Sequence, residues 1–411
     1  MGDDTGHRCR GPRMTAGPAV VTLLQPPKLV FGVGGATQLV DDLLAAGRRR
    51  VFAVCSPSTS AILRSVVGHA IACRPVVGRH AIACPTEPGL TIFDTVPGEP
   101  TITAFDAALA AARDANPDVV LGFGGGSPMD VAKLVAALYD GKQSVADIFG
   151  IGKLVGRALP LICVPTTAGT GSEVSPNAIL LDEAANLKKG AVSPHLVPDA
   201  AYVDPLLTLG VPPAVTAATG MDALTHCIEA YANKLAHPLV DPLALEGIRQ
   251  ISAHLRNAVR DGKNVDARTA VALGSLYGGL CLGPVNTGAV HALAYPLGGQ
   301  FHVAHGVSNS LLLPYVLNFN LPAAPARYAA IARALGVTTT GTDAEVAAAG
   351  LREIEKLSSD VGIPARLRDF NIPREAIPTM AKSAMTVTRL LDRNVRVVTE
   401  ADAVAIYEQA Y

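Results

Sequence analysis

Apolar residues fall into two textures along this chain. In the first half, three short runs are apolar almost throughout: Arg50–Cys55 (RVFAVC), Asp118–Phe123 (DVVLGF) and Leu159–Val164 (LPLICV). Each gives way to Gly, Pro, Ser or Thr. Strands without polar alternation are buried on both faces, as in a parallel sheet. Between and after them lie segments of helical length and periodicity, including Phe105–Ala115 and Pro128–Tyr139. Strand, loop and helix in repetition predict an α/β domain whose ligands sit at the carboxyl ends of the strands.

Beyond about residue 205 the pattern is helical. Pro213–Ala232, Pro242–Val259, Asp266–Leu282, Pro325–Leu335 and Asp343–Val361 are rich in Ala and Leu at helical spacing. Pro205, Pro212–Pro213, Pro238, Pro314 and Pro322 are expected to mark helix boundaries. The reading is therefore an α/β domain over residues 1–200 and an all-α domain over 201–411, with the change near Pro198–Pro205.

A length of 411 residues fits this division, since domains average roughly 150 residues. The 34 Lys and Arg against 35 Asp and Glu leave a net charge of -1, which gives no footprint for nucleic acid or an anionic membrane. Mean hydropathy is high at +0.32, yet no apolar run approaches the roughly 20 residues of a membrane helix. Seven cysteines without a CxxC pair point to reduced thiols and a cytoplasmic setting. The opening MGDDTGHRCRGPR lacks the apolar core of a secretory signal, and Met14 offers a second start that would make residues 1–13 a leader. One irregularity stands out: VVGHAIACRP (Val66–Pro75) is nearly repeated by VVGRHAIACP (Val76–Pro85), too short a unit for a solenoid. It reads as a local duplication.

Four motifs carry chemistry. Gly122–Asp130 (GFGGGSPMD) follows a predicted strand and opens a helix, where glycines let backbone approach a phosphate and the helix N-terminus offers free N–H groups. Alone it would read equally well as a tight turn. Val164–Glu173 (VPTTAGTGSE) follows another strand and supplies small hydroxyl donors on a pliable loop. Two such loops at two strand ends favour a nucleotide. In Thr219–Tyr231 (TGMDALTHCIEAY), Asp222 and His226 stand four apart on one helix face, with roughly 5–6 Å between Cβ atoms, a spacing that suits two ligands of one metal ion. In Val290–Gly306 (VHALAYPLGGQFHVAHG), His291 and His305 can converge with that pair, leaving His302 spare. One carboxylate with three imidazoles suits Fe(II) or Zn(II) rather than Mg(II) or Ca(II). His195, His237 and His254 read as structural.

With these motifs in view, the chain resembles the iron-containing (group III) alcohol dehydrogenase family over nearly its whole length. The matching stretches are GGGSPMDVAK (Gly124–Lys133), PTTAGTGSEV (Pro165–Val174), GMDALTHCIEAY (Gly220–Tyr231) and HALAYPLGGQFHVAHG (His291–Gly306). The resemblance implies an N-terminal dinucleotide-binding α/β domain, Rossmann-like and dehydroquinate-synthase-like. It also implies an all-α C-terminal metal-binding domain and an active site in the cleft between the two. Asp222, His226, His291 and His305 would hold Fe(II), with Zn(II) as the other option. Gly125, Gly126 and Ser127 would take the pyrophosphate of NAD or NADP, and Asp130 closes the same cofactor motif. Thr166, Thr167 and Thr170 would lie near the nicotinamide half and Lys189 near the ribose. A homodimer or larger homo-oligomer is implied too.

The chain departs from the common family pattern in three places. Tyr295 stands where many members carry a second His, so the proton relay falls to the tyrosine or to water and the ribose hydroxyl. Ser56 replaces the Asp of many NAD-preferring relatives and should relax the choice towards NADP. Leu282 and Pro284 stand where some relatives place a Phe, which implies a differently shaped pocket. The expected function is reversible, metal-dependent hydride transfer between an alcohol or aldehyde and NAD(P), with Asp222, His226, His291, His305 and Tyr295 as the catalytic set. The alternatives are a maleylacetate-reductase-like NAD(P)H reductase, a cyclase or lyase of the dehydroquinate-synthase type, and a non-catalytic nucleotide-binding protein.

Overall fold

The computed structural model describes residues 20–72, 89–185 and 187–411. The N-terminal half is built on a six-stranded parallel sheet: β1 (Lys28–Phe31), β2 (Arg50–Cys55), β3 (Gly89–Phe93), β4 (Val119–Gly124), then β6 (Leu161–Pro165) and β9 (Ala200–Val203), in the order β1-β9-β6-β4-β2-β3. A smaller sheet joins β5 (Gly150–Ile151) to the antiparallel pair β7 (Asn177–Asp182) and β8 (Leu187–Val192). Helices α1 (Gln38–Ala45), α2 (Ser60–Ala72), α3 (Ile102–Ala115), α4 (Gly126–Leu138) and the one-turn α5 (Val145–Ile148) complete this half.

The apolar runs of β2, β4 and β6 are buried along nearly their entire length, as strands covered on both faces must be. Their register decides where a ligand can sit. Cys55 pairs with Phe123, and Phe123 with Val164. The residues that follow, Ser56, the glycines from Gly124 and Thr166, therefore emerge side by side at one edge. The chain leaves β2 towards β3 on one side and β4 towards β6 on the other, so this edge is also the topological switch point, where α/β sheets bind ligands.

The second half is helical: α6 (Pro213–Tyr231), α7 (Asp241–Arg260), α8 (Val265–Leu282), α9 (Ala289–Phe301), α10 (His305–Asn320), α11 (Pro325–Ala334), α12 (Asp343–Asp360), α13 (Ile377–Ala384), α14 (Thr388–Leu391) and α15 (Glu400–Ala410). Helix α6 is buried on every side from Gly220 to Tyr231 because α7, α8 and α10 surround it. A helix apolar all round belongs inside a bundle, and here that helix carries the polar residues of interest.

Two expectations need adjustment. Strand β9 straddles the 200/201 boundary, since Ala200–Val203 pairs with β1 and β6 and belongs to the first half. Pro314 lies inside α10 instead of ending it. Packing of that helix in the core outweighs the one backbone hydrogen bond that proline removes. Of the near-duplicate, residues 73–85 lie outside the described residues, and Val66–Ala72 form the end of α2. Among the described residues, no helix is long and apolar enough to cross a membrane.

Candidate metal centre and cofactor loops

Helix α6 places Asp222, His226 and Glu229 on one face, at spacings of four and three residues. All three are buried. Helix α9 brings His291 over this face: its ring stacks on that of His226 with centroids 4.7 Å apart. Ligand atoms of Asp222, His226 and His291 all lie within 4.8 Å of one another. Within this set, His226 Nδ1 and His291 Nε2 are buried with no hydrogen-bond partner. Buried ring nitrogens left unpaired are costly, and one carboxylate with two aimed imidazoles is what a borderline divalent cation such as Fe(II) or Zn(II) accepts. The residues fit the metal, and Asp222, His226 and His291 form a divalent-metal-binding triad.

His305 opens α10 beside the triad. Its ring centroid is 5.3 Å from that of His291 and its Nε2 is 4.0 Å from Asp222 Oδ1. Asn309, one turn further on, donates from Nδ2 to Asp222 Oδ1 at 2.6 Å and lies 3.2 Å from His305 Nε2. The fourth expected ligand thus stands next to the cluster, tied to it by an amide.

Glu229 fixes His291. Its Oε2 sits 2.5 Å from His291 Nδ1, and its Oε1 accepts from the Val290 N–H at 2.7 Å. A carboxylate on Nδ1 holds that nitrogen protonated and leaves Nε2, 3.6 Å from Asp222 Oδ1, as a bare lone pair. Burial works against the Asp222 carboxylate, but the three imidazoles and the Asn309 amide outweigh it and keep its pKa below the ordinary value. Burial pushes His226 down to about 4 and holds His305 well below the usual imidazole range, so both rings are neutral, as ligands must be.

The cofactor loops meet at the switch point. Gly125 precedes the first turn of α4, where Gly126 and Ser127 offer backbone N–H groups. Thr170 covers this turn so closely that a Cβ on Gly126 would lie 2.8 Å from its methyl carbon. Thr166 N–H donates to Gly124 O at 2.8 Å, and Thr167 Oγ1 is buried, unpaired and beside Gly125. Ser127 Oγ donates to Gly98 O at 2.6 Å. Ser56 sits in a turn of hydroxyls with Ser58 and Thr59.

Two of the expected cofactor residues have partners within the protein. Both oxygens of Asp130 work inside the protein, accepting from Ser172 Oγ at 2.6 Å and from Ile179 N–H at 2.9 Å. Asp130 thereby fastens the threonine loop and β7 to α4, helped by the buried Lys133 ammonium, which donates to Ser175 O and Asn177 O. Lys189 pairs with Asp182 across the β7–β8 hairpin at 2.6 Å. Side chains alternate along a strand, so its neighbour Lys188 points the other way. Lys188 is buried, paired with Glu99 at 2.8 Å, in contact with α9 at Gly298 and near enough to depress His305.

The threonine loop also reaches the helical half. Gly169 packs on Thr219 of α6, one turn before Asp222. Gly171 has φ +61°, and a Cβ there would lie 2.2 Å from Gly279 Cα on α8, so backbone meets backbone.

Sequence reading missed Glu229, Asn309, Lys188 and Arg389. Glu229 had a signal, a carboxylate seven residues after Asp222 on a helix otherwise apolar. Arg389 had none; it reaches the site from α14, where its Nη2 donates to Tyr295 Oη at 2.6 Å. Tyr295 itself is buried on α9, one turn after His291, with its ring centroid 6.5 Å from that of His305.

Comparison with known proteins points the same way. Residues 26–205 match the family described as iron-containing alcohol dehydrogenase, and residues 216–411 match the Fe-containing alcohol dehydrogenase family, C-terminal. Long-chain-alcohol dehydrogenase 1 of Geobacillus thermodenitrificans (strain NG80-2) is 40% identical over 397 residues, covering 96% of this chain and 97% of that protein. The 1,3-propanediol dehydrogenase of Klebsiella pneumoniae is 39% identical over 78% of this chain and 83% of its own length. A crystal structure of 1,3-propanediol oxidoreductase superposes with a TM-score of 0.89 at 33% identity, over 96% of this chain and all (100%) of that one. A buried Asp–His–His cluster one helical turn from the glycine- and threonine-lined loops, on a chain matched by the family over residues 26–205 and 216–411, leads to one conclusion: the protein belongs to the iron-containing alcohol dehydrogenase family.

Proposed function

We propose how this NAD(P)-linked, metal-dependent alcohol/aldehyde oxidoreductase divides its work among its residues. The observation that carries the reading is the contact of Gly169 with Thr219, which sets the dinucleotide loop one helical turn from Asp222. When bound, a divalent ion supplies Lewis-acid polarisation of the substrate oxygen and the nicotinamide supplies or takes the hydride. Asp222, His226 and His291 hold the ion, with His305 as fourth ligand. Glu229 and Asn309 orient them through His291 Nδ1 and Asp222 Oδ1. The Gly126 and Ser127 N–H groups bind the pyrophosphate, and Thr167 Oγ1 gives the buried hydroxyl that a bound dinucleotide would pair. Lys188, in place of Lys189, faces the cleft on the ribose side.

In the reducing direction the carbonyl carbon gains the hydride and its oxygen gains a proton. Tyr295 Oη holds that proton. Because the oxygen accepts from Arg389, the phenolic hydrogen is directed elsewhere. Primary alcohols and their aldehydes are the substrate class, in line with relatives named for long-chain alcohols, 1,3-propanediol and lactaldehyde. The turn at Ser56 carries hydroxyls and no carboxylate of its own, which supports use of NADP as well as NAD. A homodimer or larger assembly and a cytoplasmic setting belong to the same proposal, supported by the resemblance and by the buried, unpaired thiols of Cys55, Cys163, Cys227 and Cys281.

The test is Asp222→Ala. Metal content measured after desalting should fall to background and turnover with it, while NADPH binding, followed by nicotinamide fluorescence, stays within about threefold. Full turnover by metal-stripped Asp222→Ala would sink the assignment.

A further inference from the structure

Beside the metal triad lies a cation, Arg389, whose only part in the proposed reaction is to orient Tyr295. Arg389 projects from the one-turn helix α14, half-buried, onto α9 and β8. Its Nη2 donates to Tyr295 Oη at 2.6 Å, and its guanidinium carbon is 5.9 Å from the centre of that ring. Against β8 it lies where a Cβ on Gly190 would be only 3.3 Å from Nη2. Any larger residue at position 190 would crowd it.

The surrounding charges are already matched. Lys188, on the same face of β8 as Gly190, is paired with Glu99. Asp222 and Glu229 are taken up by the imidazoles and the ion they serve. Arg389 makes no ion pair with a carboxylate among the described residues; Asp392, three positions on, is exposed. Arg393 adds a second positive charge nearby; burial holds its pKa low against the attraction of Asp392, and repulsion from Arg389 adds to the lowering. A partly buried guanidinium with one donor engaged and no carboxylate partner among the described residues keeps most of its donors free. It is a good receptor, because its planar fork matches a carboxylate bidentately.

We infer that Arg389, held by Tyr295, is a specificity residue that receives an anionic group at the far end of the substrate, so that this enzyme prefers aldehydes and alcohols bearing a carboxylate a few carbons from the reacting carbon. The inference rests on the oxidoreductase reading given above and narrows its substrate class. Tyr295 links the two ends of the site, with its ring beside His305 and its hydroxyl on the guanidinium.

The experiment compares 4-oxobutanoate with its methyl ester, using metal-loaded enzyme and NADPH. The wild-type kcat/KM should favour the anion by about 10- to 100-fold, the range of a charge-assisted bidentate contact, and the difference should lie in KM. Arg389→Gln should bring the ratio close to one, and Arg389→Lys, which keeps a point charge without the fork, should fall between. Equal wild-type efficiency on acid and ester overturns the proposal without any variant. So does a ratio that Arg389→Gln leaves unchanged, which would make the arginine only a prop for Tyr295. Binding of succinate by calorimetry gives a readout free of turnover: its Kd should weaken by the same factor in Arg389→Gln, and an unchanged Kd is again fatal. If no aldehyde, charged or neutral, oxidises NADPH, the oxidoreductase reading fails, while the succinate titration still decides the anion site.

Discussion

Replacing Glu229 by Gln tests how the metal centre is oriented, because the change preserves shape and alters only what the side chain can donate. In the native protein the carboxylate accepts twice, from Val290 N–H at 2.7 Å and from His291 Nδ1 at 2.5 Å. A glutamine amide has one acceptor atom, its oxygen, where the carboxylate has two. If its oxygen stays on Val290, its NH2 faces His291 Nδ1 and donates to it, and the ring proton must move to Nε2, the atom aimed at Asp222. If the amide flips, NH2 meets the Val290 N–H and two donors collide in a buried site, at a cost of roughly 1–3 kcal/mol. The first outcome removes a metal ligand by changing the tautomer; the second weakens the whole corner. Loss of such an outer partner weakens metal binding about 10- to 100-fold, or roughly 1.4–2.7 kcal/mol. The assay is competition for Zn(II) or anaerobic Fe(II) against a chelator of known affinity, with thermal unfolding of the metal-free proteins as control. Glu229→Asp, one methylene too short to reach both partners, should behave alike. If Glu229→Gln holds the metal with wild-type affinity, the tautomer argument is wrong and Glu229 serves only to tie α6 to α9.

Two further expectations follow from buried charges. Lys188→Gln should raise KM for NAD(P)H by about tenfold and leave Glu99 without its partner, whereas Lys189→Gln should change it less than twofold; steady-state kinetics with both variants decides which strand face meets the cofactor. Burial pushes the Glu173 carboxyl up from 4.5 to about 7. The folded state therefore keeps a proton that the unfolded state releases, so stability falls as pH rises from about 4.5 to about 7 and is level beyond, by up to about 3 kcal/mol. Glu173→Gln removes that dependence, and its stability relative to wild type should be greater at pH 8 than at pH 5 in paired thermal melts. A difference that does not change with pH would refute this.

The parts of the fold that could be read from sequence are those where a single physical pattern dominates. Arg50–Cys55 reads directly as β2 because burial on both faces leaves no polar position, and Pro213 and Pro325 open helices where a missing N–H costs nothing. The β7–β8 hairpin was not legible: LKKGAV places two lysines in succession, and alternation cannot be phased until the partner strand is known. Asp222, His226 and His291 could be found by residue type and spacing, but that Glu229 orients His291 shows only once α6 and α9 are packed together. Arg389 is brought to Tyr295 from nearly a hundred positions away, and only tertiary packing makes that contact.

The meeting of Gly171 with Gly279 has a mechanical consequence. With backbone against backbone and no side chain between them, the threonine loop and α8 have nothing compressible at this point. The two halves can turn about the contact but cannot close further there, so it serves as a fulcrum. Any widening of the cleft for nucleotide exchange then swings the dinucleotide sheet as a lever over a fixed pin, and the gap grows with distance from it. A methyl group at either glycine would have to push the two backbones apart and so prop the cleft open.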